Sequence, residues 1–548
     1  MKTALFPFVC LVFTVAPVAD AFDDAALQQP SAFRVASVAP ADATMLVTVE
    51  NAAAIRAELE DRPIARWMNA ALLSGEAGRT WAGLARHAGM TETQLFDLCF
   101  GRRTTLITRT SAHESDWALM MEIDAATSTR LLRTLRATSL GPRFGGSAYE
   151  VPEHDLLLVQ RNDTMMVGPR PKASTKQRVG AQSSLLHDVA SRLDARAAMP
   201  SLADAPAMTA ARTLPQGNIA VYMKHDPPLG GWSVAVANLV GDQVTVRQFA
   251  RFESAPFTRD LTELEIDLAA LHAFEDHALL AIIEPTDTGR SQFETFTLSA
   301  IGEGIVSPAM RRNMAERRLF IVSEVEGRDE PEPFDLQAPT LSVCIELRDP
   351  IIAEEQLDRQ MVALARRINQ NSHGRFCLTI PDELAFVPDA PRAIDLSPAG
   401  QWLTGGLPLA KPLSLSWRIA RGESASWYVI SSHPKQLDDT VRVLGSVRMP
   451  RPDGRPNNPA AQRLHHGGVA NGARISHHLR SWSDRADLLA MPDDSNELRE
   501  TILLLSEFAA GVDRCRWRIA RPARQEMCLE IELTLSAPES TRTTPKFD

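Results

Sequence analysis

Leu413–Ser446 reads LSLSWRIARGESASWYVISSHPKQLDDTVRVLGS and carries, in one run, the pattern that sets the fold. Apolar and polar residues alternate from Leu413 to Ala420, the period of a half-buried strand. Arg421-Gly422-Glu423 is a turn and Trp427 to Ile430 a second strand. Pro434 then opens a helix that places Leu437, Val441 and Leu444 on one face. The unit is strand, turn, strand, amphipathic helix.

It recurs. Thr104 to Arg109, a polar turn around His113 and Trp117 to Ile123 are followed by a helix burying Leu131, Leu132 and Leu135. In both copies the second strand opens with Trp a few residues after a Glu-Ser step. A looser copy runs from Leu319 to Val325 and Leu341 to Leu347. Its helix begins near Pro350 and spaces Leu357, Met361, Leu364 and Ile368 along one face, with Asp349 as cap and His373-Gly374 as stop. Asp155 to Val159, Met165 to Gly168, Asn218 to Met223, Trp232 to Ala237 and Gln243 to Phe252 read as further antiparallel strands. Arg514 to Ile519 and Glu526 to Leu535 form a closing hairpin whose Arg and Glu residues alternate on the solvent face. The fold class expected is α+β, made of repeated antiparallel strand-turn-strand-helix units with the helices on one face of antiparallel sheets. It is not a doubly wound nucleotide-binding fold.

Before the first strand at Ala43 to Val49, the chain starts Met1-Lys2, continues apolar from Ala4 to Ala19 and reaches Ala19-Asp20-Ala21. A charged start, an apolar core and a small-x-small site make a signal peptide, cut after Ala21. An uncleaved anchor is the rival reading, but the run is short for a spanning helix and holds Pro7 and Pro17. The expected organisation is a signal peptide over 1–21, a flexible linker over 22–40, α+β units over 41–225, 226–400 and 401–536, and a flexible tail over 537–548. A helix starts near Asn51, and Thr91-x-x-Gln94 is a capping box.

The chain has 548 residues and a formal charge of -10, with acidic and basic residues interleaved. That balance argues against nucleic acid as a partner, and the Arg pairs are scattered solvated faces. No later segment is apolar for long enough to cross a bilayer, so no transmembrane segment is expected in the mature chain. The partner expected is an envelope protein, lipid or glycan, and the location periplasmic or extracellular, with peripheral attachment to the envelope allowed.

Cys10 leaves with the signal peptide, and Cys99, Cys344, Cys377, Cys515 and Cys528 remain, with no C-x-x-C spacing for zinc. Strand alternation puts Cys515 and Cys528 on opposite faces and rules out that pair. Cys344 and Cys377 both fall on the less apolar face of their strands, which permits a disulfide between them.

Chemistry is sparse. Glycine patterns for phosphates and dinucleotides are missing from their strand-to-helix setting, so no cofactor is expected. Gly145-Gly146-Ser147-Ala148 is half a nucleophile elbow and reads better as a turn. No metal site is expected; His465-His466 and His477-His478, the densest histidine cluster, are the candidates against that expectation, placed on a Gly-rich loop leading to a helix near Ile475. His272, Glu275, Asp276 and His277 read as a polar entry to the strand Leu279 to Ile283. Most Trp residues lie in apolar phase. Trp402 and Trp482 lie in Gly-rich or polar surroundings and are the candidate surface ligand contacts.

The Pro40-Ala41-Asp42-Ala43 strand start, its echo at Glu275-Asp276-His277-Ala278, and the closing helix and hairpin from Ala473 to Leu535 give a resemblance. The chain resembles domain-of-unknown-function families of large exported bacterial proteins. The resemblance covers most of the mature chain and implies an envelope or extracellular location. It supplies no catalytic residue. The function expected is a non-enzymatic binding or structural protein of the cell envelope. A hydrolase whose site is assembled only in the fold is one alternative, and a lipid or hydrophobic-ligand carrier the other.

Overall fold

The structure, a computed structural model, describes residues 31–65, 82–83, 85–110, 115–170, 184–193, 200–226, 230–254, 271, 273–285, 313–324, 339–380, 392–399, 413–422, 425–446, 464–483, 495–520, 522–523 and 525–538. It is α+β, and its strand pairs are antiparallel. Among the described residues no helix is long and apolar enough to cross a membrane. The signal segment and Trp402 lie outside them.

The chain divides into two compact units, 1–256 with 525–548, and 257–524. This replaces the three stretches expected from sequence. A boundary at 225 would cut the paired strands Ile219–Lys224 and Trp232–Val240, and one at 400 would part Arg392–Asp395 from its partner Ser414–Arg421.

In the first unit the strands are β1 (Met45–Val49), β2 (Thr104–Thr110), β3 (Ser115–Glu122), β4 (Thr138–Arg143), β5 (Gly146–Val151), β6 (Leu156–Arg161), β7 (Thr164–Pro169), β8 (Ile219–Lys224), β9 (Trp232–Val240) and β10 (Gln243–Arg251). Their spatial order is β4-β5-β6-β7-β3-β2-β1-β8-β9-β10. Local signals set the helices. Asn51 takes a left-handed backbone and caps α1 (Ala52–Leu59), and the Thr91–Gln94 capping box starts α2 (Glu92–Phe100). Asp124 caps α3 (Ala125–Thr134) by accepting from the Thr127 amide at 2.8 Å. Later come α4 (Leu185–Leu193) and α5 (Pro206–Ala211).

The second unit holds β11 (Leu280–Pro285), β12 (Met314–Ser323), β13 (Thr340–Leu347), β14 (Arg392–Asp395), β15 (Ser414–Arg421), β16 (Ser426–Ser431), β17 (Leu464–Asn471) and β18 (Val512–Ala520). Their order is β14-β15-β16-β13-β12-β11-β17-β18. Among the described residues its helices are α6 (Pro350–Asn371), α7 (Pro434–Ser446), α8 (Gly472–Ser483) and α9 (Ser495–Ala510).

Helices cover both faces of each sheet, a correction to the single face expected. In the first unit Ala118 and Met120 of β3 pack with Leu185 and Val189 of α4, whereas Trp117, Leu119 and Met121 pack with Leu131 of α3 and Leu95 of α2. In the second, Trp427 and Val429 of β16 pack with Leu437 of α7, and Tyr428 and Ile430 with Met361 of α6. The cause lies in the sequence: neighbouring strand residues are both apolar, as in a sheet buried on two sides.

The solvent face expected of the closing hairpin is also corrected, at Glu530. β19 (Glu526–Leu535) belongs to the first unit, paired along β10, while β18 pairs with β17 in the second. Glu530 is consequently not on a solvent face; it is buried and takes Arg247 Nε at 2.8 Å. Within the linker expected to be flexible over 22–40, a 3-10 helix, Ser31–Ser37, buries Phe33 and Ala36.

Candidate binding site at one end of the second sheet

β11, β13, β15 and β18 start, and β12, β16 and β17 finish, at the same end of the second unit's sheet, because the pairs are antiparallel. Small hydroxyl residues collect there. Ser342 Oγ donates to Ser431 Oγ at 2.9 Å, and Ser414 and Ser416 share a bond of 2.7 Å. From the first turn of α7, Gln436 Nε2 donates to Ser323 Oγ at 3.0 Å and to Thr440 Oγ1 at 3.2 Å. Thr340 Oγ1 closes the set on the Ser323 carbonyl at 3.0 Å. All are buried. Each hydroxyl is committed to another hydroxyl, an amide or a carbonyl, so the seam satisfies its polar atoms internally.

Beyond Ser323 the chain turns out with Glu324, whose Oε1 lies 3.8 Å from His478 Nδ1. His478 projects from α8, is 6 % exposed, and has no hydrogen-bond partner on either ring nitrogen. Trp482, one turn on, lies 5.2 Å away between ring centroids. Ser476 and Ser506 bind each other at 3.1 Å and hold α8 against α9.

The histidine pairs are therefore not on a loop. His466 is in β17 opposite Ile519, and His477 and His478 are on α8, with His477 exposed. His465 also belongs to β17, and its side chain lies outside the described residues. Successive helical residues point in different directions, so the two histidines of α8 do not share a site. Among the described residues no group of three His, Cys, Asp or Glu could hold a metal ion. The Cys344–Cys377 disulfide is not formed. Both thiols are free, Cys344 buried under α7 and Cys377 exposed, and burial pushes the Cys344 thiol far up. Trp482 is the one tryptophan candidate that can be placed. Glu275 takes Arg514 at 3.2 Å and Arg516 at 2.7 Å, a structural role.

A second polar group sits on the other face. Asp358 of α6 accepts from Trp417 Nε1 at 2.9 Å and pairs with Arg392 at 3.1 Å, all buried. The Tyr428 hydroxyl beside them is buried without a hydrogen bond, and its pKa is raised well above the ordinary value by burial and by Asp358, against Arg392. Sequence reading missed Glu324, Asp358, Arg392 and Gln436. The available signal was polar residues in the inward phase of otherwise apolar elements, as with Asp358 one turn before Met361.

No family model and no curated protein matches the chain. A solved structure described as "Structure of crystal form III of TP0453" is similar at 12% identity and a TM-score of 0.25, over 40% of this chain and 81% of that one. At that score it carries no argument about fold or function.

Proposed function

We propose that the chain is an exported, non-enzymatic protein that binds or organises another component of the cell envelope, built from repeated strand-turn-strand-helix units. The units are β2-β3-α3 and β6-β7-α4 in the first sheet, and β12-β13-α6 and β15-β16-α7 in the second; in each sheet the second strand of one lies beside the second strand of the other. The observation that carries the non-enzymatic reading is the hydroxyl seam. A serine nucleophile needs a base within hydrogen-bond reach, and here Ser323, Ser342, Ser414, Ser416 and Ser431 bond to Gln436, Thr440 and one another's hydroxyls. The polar end is a fastening of α7 to the sheet.

The test is the full chain expressed with its own N-terminus in a bacterial host. A mature chain beginning at Phe22 in the periplasmic or extracellular fraction is expected. Capture of envelope extract on that chain should return a saturable protein, lipid or glycan component. No enriched component together with turnover on a hydrolase panel overturns the reading.

The observation favouring a hydrolase is His478, buried beside Glu324 with both ring nitrogens unbonded, the surroundings of a general base. Turnover abolished by His478→Gln would establish it.

A further inference from the structure

Thr44 and Leu279 occupy the same place in their sheets. The Thr44 amide donates to the Thr108 carbonyl at 2.8 Å, and its carbonyl accepts from Lys224 at 2.8 Å. The Leu279 amide donates to Val322 at 2.8 Å and its carbonyl accepts from Asn471 at 3.0 Å. Setting the two equal aligns Pro40-Ala41-Asp42-Ala43 with Glu275-Asp276-His277-Ala278, both alanines buried.

Carried through the strand registers, this alignment pairs Met120 with Cys344, Met166 with Val429, Leu158 with Trp417, Met165 with Tyr428 and Val151 with Ile394. The burial pattern agrees at every pair. Met120 and Met166 lie in the cluster under α4, and Cys344 and Val429 in the one under α7. Leu158, Met165 and Val151 lie in the cluster with α3, and Trp417, Tyr428 and Ile394 in the one with α6. A slip of one residue anywhere would send side chains to the opposite face. The sheet order agrees too: β5-β6-β7-β3-β2-β1-β8-β9 corresponds to β14-β15-β16-β13-β12-β11-β17-β18.

We infer, resting on the repeat reading above, that residues from β11 to β19 are a second copy of β1 to β10, and that the β10–β19 pair is a retained self-association edge. By chain order β19 corresponds to β10. The two pair antiparallel, from Gln243 opposite Thr534 to Arg251 opposite Glu526, centred on Arg247 opposite Glu530. Antiparallel pairing of equivalent strands about a central residue is the contact a two-fold dimer makes. The partner that fits the β10 edge is the last strand of a second copy of this fold, which here is supplied by the same chain.

The experiment is a protease site inserted after Ser254 in the full chain and cut after folding. The two fragments should co-elute at the size of the intact chain. Glu530→Arg should weaken their association by about tenfold or more, a buried cross-strand pair having become a like-charge one, and adding Arg247→Glu should restore it. If Glu530→Arg does not fold, Arg247→Glu alone supplies the weakened case, its side chain being more exposed. Fragments that separate in the parent, or that stay together equally in the single variants, overturn the inference. A failed envelope capture leaves this elution result unchanged, so the two proposals fail separately.

Discussion

The two units bury charge at different places in similar sheets. In the first, Arg109 at the end of β2 sits 2.8 Å from Asp188 of α4 and 3.5 Å from both Asp116 and Asp42. At the corresponding end of the second sheet Ser323, Thr340 and Gln436 do the same fastening with neutral groups. On the opposite face the contrast reverses. Asp358, Arg392 and Trp417 form an ionic centre in the second unit, where the first packs Leu158, Met165 and Leu131. Strand order thus leaves the polarity of each face open. What is fixed is that a buried charge has its counter-charge and donors in place.

Four perturbations break or sharpen that contrast, taken from the largest effect to the smallest. Asp358→Ala takes the carboxylate from Arg392 and the Trp417 indole, and should cost about 3–5 kcal/mol in urea unfolding. The double variant Asp358→Leu with Arg392→Met removes both charges and should recover most of it; a double as weak as the single would show that the pair is needed for more than mutual compensation. Arg109→Met should cost about 2 kcal/mol, less because Asp42 is half exposed and can face water. Gln436→Leu deprives Ser323 and Thr440 of a donor and should cost about 1–2 kcal/mol. Equal losses for Arg109→Met and Gln436→Leu would erase the difference between an ionic and a neutral fastening. Last, the Asp124 carboxyl is held below its ordinary range by hydrogen bonds from the Thr127 amide and hydroxyl. A lowered folded pKa gives stability that is present above the ordinary carboxylate range and lost as pH falls through the folded value. Asp124→Asn should therefore lower the neutral plateau by a small amount and flatten the acid side of a pH–stability profile.

Sequence reading reached what short-range physics decides. The Thr91–Gln94 capping box, the Asp349 cap, Pro434 at a helix start and the strand phases around Trp427 are all present, because each depends on residues a few positions apart. Partners far along the chain were out of reach. Nothing local in Glu526–Leu535 says that it pairs with β10, and with its neighbour on that edge hidden, Glu530 reads as a solvent residue. The candidate site was half legible. His478 and Trp482 were visible as unusual residue types, but Glu324 became relevant only when β12 ended beside α8. Asp358 and Arg392 read as surface charges until α6 and β14 brought them together.

The capture of β19 by β10 also has a meaning in time. β10 lacks its partner strand until Glu526–Leu535, which follows it only after the whole second unit, has emerged. At about 5–20 residues per second of synthesis, β10 waits on the order of tens of seconds with its edge amides and carbonyls unpaired. Such an edge is a template for any passing strand. For this chain, synthesis through Glu526–Leu535 is a condition for the edge of β10 being covered.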